Sequence, residues 1–470
     1  MDIYASLKNT VKGKKVAVLG LGVSNLPLIG LLLDTCETAA LTVYDKKSLR
    51  ELGEDALALE QRGVGFVCGE NCFERIEADV IFRSPGIRPD KEGIVAAIEG
   101  GAMLTSEIEE FMRVAPARLF AVTGSDGKTT TTTLTGKFLE AAGRVFVGGN
   151  IGTPLLDKAG EMSESDSAVL ELSSFQLMRV SRAPTCAAIT NISPNHMDWH
   201  TDEEEYAGAK FNVVGDGTER VVLNADSPRT YAFARRLIEQ GGREIILFSS
   251  TKAPRDIPEG ADLIWLEDRV ITLTQGGRSI PLLDSRDILL PGKHNVENYM
   301  TAIGLTYGYV PKEIYTEVAR SFGGVEHRLE LVRVKDGVSY YNSSIDSSPT
   351  RTAAALSALE GRDIVAICGG YDKRIPFAPL AQSLCERARA VVLTGATAGK
   401  IREAILNCPD YDPQRLLVAE SESFEEAVEK AADLGREGGC VVLSPACASF
   451  DRFKNFAQRG RYFKELVMKL

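Results

Sequence analysis

The chain has 470 residues, of which 44% are hydrophobic and 25% charged; this composition is that of a globular protein and excludes a disordered or fibrous one. At about 150 residues per domain it should hold about three domains. A formal net charge of -11 argues against a nucleic-acid partner, because binding by counterion release needs a basic face, so an anionic ligand must be met by local cations.

The opening residues MDIYASLKNTVKGKK hold no apolar signal region, and LPLIGLLL is far shorter than the roughly 20 residues of a membrane span. No membrane span and a cytoplasmic location are therefore expected. The nine cysteines are scattered, which gives little support to a disulfide framework or a zinc site and leaves most of them as small buried apolar residues.

In chain order, VAVLG reads as a strand, followed by a Gly-rich turn, the helix LPLIGLLLDT and a second strand, ALTVYD. ADVIFRSPGI places another β-rich run before a Pro-Gly turn. This rhythm predicts a parallel sheet with ligands at the carboxyl ends of its strands, and residues 1–106 form a first domain. A second series, RLFAVTGSDGK, SAVLELSS, CAAITNIS, RVVLNADS and EIILFSS, fills residues 107–323. The paired glycines of SFGGVEHRLELV break it. A third series, YYNSS, RDIVAICGGYDK, ARAVVLTGAT and GCVVLSPACASF, occupies residues 324–470. The fold class is α/β, with three Rossmann-like domains of which the central one carries a P-loop ATPase-type parallel sheet.

The central series opens on AVTGSDGKTTTTTL. The common phosphate loop Gly-x-x-x-x-Gly-Lys-Ser/Thr requires glycine where this chain has Val122, so a phosphate loop here is a shortened one. Gly124 and Gly127 let backbone N–H groups face an anion, and the following helix adds the positive end of its dipole. Lys128 can reach terminal phosphates, and the Thr129 hydroxyl is placed for Mg²⁺. The five threonines suit a first helical turn poorly, since β-branched side chains lose rotamer freedom there. The alternative is an ordinary strand-to-helix turn with an exposed lysine.

AVLELSSFQL sets Glu171 at the end of an apolar strand, where a carboxylate is costly unless paired or bound to metal. ITNISPNHMDWH then supplies His196, Asp198 and His200 on a loop. Zinc is weakened by Pro194 and the loop context; Glu171 and His196 beside a triphosphate suit Mg²⁺ better, and a solvated loop with a capping histidine is the plainer reading. Asn295 and Asn298 of PGKHNVENYMTAI offer amides to a purine or to phosphates, and Arg328 of HRLE could swing onto phosphate when domains close. VAVLGLGVSN tempts a dinucleotide reading with Asp45 as the ribose acid, but Asn25 stands where the third glycine belongs.

In order, GLGVSN, SPGI, GSDGKTTTT, GNIGTP, ELSSFQL, NISPNHMDWH, AGAKFN, GKHNVENYMTA, EHRLE, GGYDK and SPACASFDRFKNFAQRG resemble the Mur ligase family over residues 16–465. The most specific pieces, ELSSFQL and SPACASFDRFKNFAQRG, resemble its D-glutamate-adding branch. The resemblance implies that ATP phosphorylates a carboxylate and that an amine displaces the phosphate, a chemistry resting on charge neutralisation. The implied substrates are UDP-N-acetylmuramoyl-L-alanine and D-glutamate, in peptidoglycan precursor synthesis, with Mg²⁺ as two ions and the chain acting as a monomer.

Residue by residue, the resemblance puts the uridine nucleotide substrate on Ser24, Asn25, Asp45, Ser84 and Gly86, with Asn150, Ser173, Gln176 and His196 toward its muramoyl-alanine end. ATP falls to Gly124, Ser125, Asp126, Gly127, Lys128, Thr129, Thr130, Asn295, Asn298 and Arg328. Thr129, Glu171, His196 and Lys210 would hold metal, Lys210 matching the lysine that the family carbamylates. Lys128, Glu171, His196 and Lys210 form the catalytic set. Ser347, Lys373, Ser449, Phe450 and Phe456 match the amino-acid pocket, where a lysine suits a side-chain carboxylate.

The chain departs from the family where Asn-Asp-Ser-Lys-Ala-Thr-Asn is usual and Asn342-Ser343-Ser344-Ile345-Asp346-Ser347-Ser348 stands here. Asp346 or Arg351 is expected to replace part of the missing pair, with Asp346 serving ATP. DSPR at 226–229 matches a sister ligase's diaminopimelate motif but falls in the central series, and is read as chance. Another Mur-type ligase, a folylpolyglutamate-type ligase, argued against by VAVLGLGVSN, and a non-catalytic nucleotide-binding homologue complete the alternatives.

Overall fold

The computed structural model describes every residue except Met1, Asp198, Pro291 and Arg374; Asp198 of the histidine loop therefore lies outside the described residues. The chain divides into two compact units, Met1–Asp287 with Lys293–Ala319, and Ile288–Gly292 with Arg320–Leu470.

The first unit carries two sheets. Strands β1 (Lys15–Leu19), β2 (Ala40–Asp45), β3 (Gly65–Cys68), β4 (Val80–Arg83) and β5 (Met103–Thr105) form a parallel sheet in the order β3-β2-β1-β4-β5. The order reverses beside β1, so the turns after β1 and β4 flank the crevice in which such sheets bind ligands.

The second sheet comprises β6 (Arg118–Thr123), β7 (Val145–Gly149), β8 (Ser167–Glu171), β9 (Cys186–Ile189), β10 (Arg220–Asn224), β11 (Glu244–Ser249), β12 (Asp262–Glu267), β13 (Val270–Gln275) and β14 (Arg278–Asp284). Its order is β14-β13-β12-β11-β10-β9-β6-β8-β7, with β13 antiparallel to both of its neighbours. Central strands such as Cys186–Ile189 are apolar and wholly buried, as parallel strands covered on both faces must be.

Two tight hairpins join the last three strands. Asp268 and Arg269 (φ 44° and 76°) turn between the paired Glu267 and Val270, and Gly276 and Gly277 (φ 55° and 76°) between Gln275 and Arg278. Positive φ at both loop residues matches the right-handed twist of the strands.

The second unit holds β15 (Glu330–Lys335), β16 (Val338–Asn342), β17 (Ile364–Cys368), β18 (Ala388–Leu393), β19 (Leu417–Glu420) and β20 (Cys440–Leu443) in the order β15-β16-β20-β17-β18-β19, parallel apart from β15. All nine cysteines are free thiols and six are buried. Among the described residues, no helix is long and apolar enough to cross a membrane.

Candidate active site

The phosphate-loop stretch lies at the carboxyl end of β6, between β8 and β9. Gly124 (φ 144°) and Gly127 (φ 78°) adopt conformations that L side chains rarely take. Space forbids a side chain as well: a Cβ on Gly124 would sit 1.9 Å from Thr190 Oγ1, and one on Gly127 2.3 Å from Asn298 Oδ1. Both glycines are thus required by the loop itself.

The helix Lys128–Leu139 begins directly after Gly127. Its threonine run is accommodated because Thr131 and Thr132 are fully buried, while Thr133 and Thr135 donate their hydroxyls to the carbonyls of Thr129 and Thr131. Tertiary packing overrides the weak local propensity.

The rest of the loop is held by its neighbours. The Ser125 hydroxyl bonds the Ser193 carbonyl at 2.9 Å and the Tyr206 hydroxyl at 2.8 Å. Thr190 Oγ1 donates to the Asp126 carbonyl at 2.6 Å, and Asn191 Oδ1 accepts the Asp126 N–H at 3.0 Å. The Asp126 side chain is exposed. Thr190, Asn191 and Tyr206 escaped the sequence reading because their roles depend on strand order.

Two lysines meet at one carbonyl. Lys128 Nζ donates to the carbonyls of Gly124 (3.0 Å) and Ser125 (2.8 Å), and Lys210 Nζ donates to Gly124 at 2.8 Å. Lys210 is buried, with its amine 4.6 Å from the Tyr206 ring centroid. Burial, and then the charge of Lys128, push its pKa down to about 7. Its helix, Glu203–Phe211, is capped by Asp202.

Glu171 closes the other side. Backbone register sets it opposite Val122 at the end of β8, and Asn150 Nδ2 donates to its Oε1 at 2.9 Å. It is 2% exposed, and among the described residues its Oε2 has no hydrogen-bond partner. Such an orphan is costly unless a cation completes it, so this donor set fits a hard divalent ion. Thr129 lies buried in the first turn of the helix.

His196 is exposed, at φ 56°, with its ring 5.0 Å from that of Phe175. Positive φ is uncommon for a non-glycine residue and clusters at functional sites. His200 is buried instead, bonding Glu205 at 3.1 Å and Ser174 Oγ at 2.9 Å. The two histidines of the HMDWH stretch therefore have different surroundings. Ser173 and Gln176 cap the short helix Ser174–Leu177 reciprocally.

Asn295 and Asn298 are both buried on the helix Lys293–Thr306. Asn298 Oδ1 accepts from Thr131 at 3.3 Å and lies against Gly127, which puts this helix beside the phosphate loop.

On the first sheet, Asn25 Nδ2 donates to the carbonyls of Leu19 and Gly20, and its buried Oδ1 lacks a partner among the described residues. Asp45 accepts the N–H groups of Leu21 and Lys47. Ser24 sits at the start of the helix Asn25–Thr35. Ser84 packs against Gly20 and Gly22, and the Gly86 carbonyl accepts from Trp199 Nε1 at 3.3 Å.

In the second unit, Lys373 Nζ donates to the Ser347 carbonyl and Oγ, both at 3.1 Å. Phe450 is 64% exposed and meets Tyr371 edge-on at 6.0 Å, Phe456 is exposed, and Ser449 is buried. Arg328 is exposed. Asp346 is buried and accepts from Ser444 Oγ at 2.8 Å, and burial pushes its carboxyl above the ordinary range. Arg351 donates to the Ile345 carbonyl at 3.3 Å, and Ser343 Oγ accepts the Leu329 N–H.

Glycine-framed amides, two lysines and an orphaned carboxylate at the end of a parallel sheet make a donor set that can receive a nucleotide phosphate. Two family models match the chain: the Mur ligase middle domain over residues 122–306, and the Mur ligase glutamate ligase domain over residues 327–447. The UDP-N-acetylmuramoylalanine--D-glutamate ligase of Clostridium novyi (strain NT) is 43% identical over 471 residues, covering 99% of each chain. Its counterpart in Ruminiclostridium cellulolyticum is 44% identical over 472 residues, covering 98% of each. Among solved structures, the UDP-N-acetylmuramate-alanine ligase of Thermotoga maritima shares the fold with a TM-score of 0.53 at 17% identity, covering 97% of this chain and 99% of that one. The chain belongs to the Mur ligase family and is an ATP-dependent ligase.

Proposed function

We propose that this ligase joins D-glutamate to UDP-N-acetylmuramoyl-L-alanine in peptidoglycan precursor synthesis, using ATP and two Mg²⁺ ions and acting as a cytoplasmic monomer of three domains with boundaries near residues 106 and 323. The observation that carries the chemistry is the convergence of Lys128 and Lys210 on the Gly124 carbonyl beside the orphaned Glu171 oxygen. The choice of substrates rests on the relatives at 43% and 44% identity along nearly the whole chain.

In the first step a carboxylate oxygen of the UDP substrate attacks the γ-phosphorus of ATP, the bond to the β-phosphate oxygen breaks, and ADP leaves. In the second, the D-glutamate nitrogen attacks the acyl carbon, phosphate departs with the C–O bonding pair, and the nitrogen sheds a proton. Mg²⁺, when bound, supplies charge neutralisation to the phosphates. Glu171, Thr129 and His196 are the residues that would hold it, with Lys210 once carbamylated.

The chain's own groups do the positioning. The Gly124 and Gly127 amides receive phosphate oxygens, while those of Ser125 and Asp126 are held by Asn191; Lys128 exchanges the Gly124 and Ser125 carbonyls for phosphate, Asn295 and Asn298 bind ATP beside the loop, and Arg328 and Asp346 are further ATP-binding residues. Ser24, Asn25, Asp45, Ser84 and Gly86 hold the uridine nucleotide, and Asn150, Ser173, Gln176 and His196 the acyl end. Ser347, Lys373, Ser449, Phe450 and Phe456 take D-glutamate, with Lys373 matched to its side-chain carboxylate.

The test is ADP release measured with each substrate withheld in turn. Release that requires both UDP-N-acetylmuramoyl-L-alanine and D-glutamate is expected; release indifferent to D-glutamate overturns the reading.

A further inference from the structure

We propose that Arg88 is a positioning residue that couples the Ser84–Gly86 turn of the first sheet to the histidine loop and to the helix carrying Lys210. The proposal deepens the functional reading above and rests on it.

Arg88 follows β4 by five positions in sequence, just past the turn assigned to the uridine nucleotide. Its guanidinium reaches the loop and helix that follow β9. Nη1 donates to the Trp199 carbonyl at 2.5 Å and to Glu205 Oε2 at 3.0 Å, while Nη2 donates to Glu205 Oε1 at 2.9 Å. The contact to Glu205 is thus bidentate, a geometry that fixes direction as well as charge. Its plane lies over the Trp199 ring, 5.0 Å from the centroid, and Asp90 holds the other edge at 2.6 Å.

Both ends of this contact lead into the site. Toward the turn, Trp199 Nε1 donates to the Gly86 carbonyl. Toward the catalytic residues, Glu205 lies in the first turn of Glu203–Phe211, whose last turn carries Lys210. Glu205 also accepts the Thr201 N–H and bonds buried His200, fixing the end of the histidine loop. The Trp199 ring packs 4.4 Å from Phe175, which in turn packs against His196. A second arginine runs parallel: buried Arg83 donates to the carbonyls of Pro85 and Ile87 and to that of Phe175.

A displacement of the turn therefore moves the Trp199 ring, and through Phe175 and Glu205 it moves the surroundings of His196 and Lys210. Occupation of the turn by the uridine nucleotide would set the distant acyl-transfer geometry. An isolated surface ion pair contributes little to stability; this one is one-fifth exposed on each side and links two sheets through a backbone carbonyl and a ring as well.

The chain has only two tryptophans, Trp199 and Trp265, and Trp265 belongs to β12, outside this network. In a Trp265→Phe background, Trp199 emission reports on the turn directly. Titration with UDP-N-acetylmuramoyl-L-alanine is expected to shift that emission, and Arg88→Ala to abolish the shift. Arg88→Ala should lower kcat about ten- to hundredfold, the scale of a roughly 1 Å misplacement of reacting groups, with the KM for ATP unchanged within about twofold. Arg88→Lys, which keeps charge but not the fork, should fall between. Glu205→Gln should reproduce the kcat loss while keeping the parent's far-UV circular dichroism, even with a lowered unfolding temperature, and stands in if Arg88→Ala does not fold. A kcat within about twofold of the parent for Arg88→Ala or its stand-in, or an emission shift that survives the substitution, overturns the coupling. If the Trp265→Phe parent itself lacks joint substrate dependence, the functional reading fails and takes the coupling with it.

Discussion

Two strand-to-helix turns carry paired glycines, Gly20 and Gly22 after β1 and Gly124 and Gly127 after β6, and they are built to different ends. The first is closed by neutral and acidic side chains: Asn25 bonds the Leu19 and Gly20 carbonyls, and Asp45 the Leu21 N–H. The second draws two lysine amines onto the Gly124 carbonyl, with an orphaned carboxylate oxygen at the neighbouring strand end. Backbone pattern alone makes both look like phosphate loops. The charges separate them: under the proposed function, the first turn takes the uridine nucleotide and the second the triphosphate.

The sharpest way to break this contrast is to remove the charge. Lys128→Ala should lower turnover about a thousandfold, the upper range for losing one preorganised electrostatic contact, with thermal unfolding within a few degrees of the parent. Substantial residual turnover would make the lysine a structural brace for the loop. Glu171→Gln, which keeps the shape and removes the charge, should cost about a hundredfold and raise the Mg²⁺ concentration needed for half-maximal ADP release.

Lys210 offers a pH-dependent version of the same test. Its ammonium is disfavoured by burial and by Lys128, and its pKa near 7 means that the neutral amine needed for carbamylation grows as pH rises through that value. Activity in CO₂-depleted buffer should be restorable by bicarbonate, more fully at pH 8 than at pH 6. Because the folded pKa lies below the unfolded one, the unfolded chain holds the proton more tightly, and the lysine's contribution to stability rises between about pH 7 and pH 10.5. Bicarbonate-independent activity throughout would remove the carbamate.

How much of this was legible follows from where each signal lies. Strands such as VAVLG, RLFAVTG and RDIVAICGG announce themselves because both faces are buried and the whole run is apolar. β3 and β19 carry no such run, being short edge strands with exposed positions. β12 to β14 were missed, though their two-residue hairpins left Asp-Arg and Gly-Gly between alternating runs. Within the site, Lys128 and Glu171 could be picked out because a lysine between glycines and threonines, and an acid ending an apolar strand, are locally odd. Thr190, Asn191 and Tyr206 act only through the packing of β6 against β9 and the helix of Lys210. Arg88 reaches its partner across 117 positions of sequence, a pairing that no local pattern encodes. His200 resembles His196 in sequence, yet burial against Ser174 and Glu205 gives it a supporting place.

Alanine at the glycines divides the turns by stability rather than by charge. Gly127→Ala forces φ 78° on a residue with a Cβ and drives that Cβ to 2.3 Å from Asn298 Oδ1. A loss of about 1–3 kcal/mol is expected from the backbone strain alone, seen as a lowered denaturant midpoint with an unchanged slope. A midpoint equal to the parent's would mean the loop has room that the contact with Asn298 denies.

Gly22→Ala should have the smallest effect on stability and the more telling effect on binding. Gly22 is not among the positive-φ residues, and its Cβ would meet Ser84 Oγ at 3.5 Å, an ordinary contact. Replacing glycine at a compatible position restricts the unfolded chain, so the variant should be as stable as the parent or more stable by about 0.5 kcal/mol. The added methyl would nonetheless occupy space between the turn and a nucleotide lying against Ser84. The KM for UDP-N-acetylmuramoyl-L-alanine is therefore expected to rise about tenfold while the KM for ATP stays fixed. That pattern would make the glycine of the first turn a provision for the ligand, whereas Gly127 is a condition of the fold; unchanged KM values with raised stability would remove the ligand from the first turn.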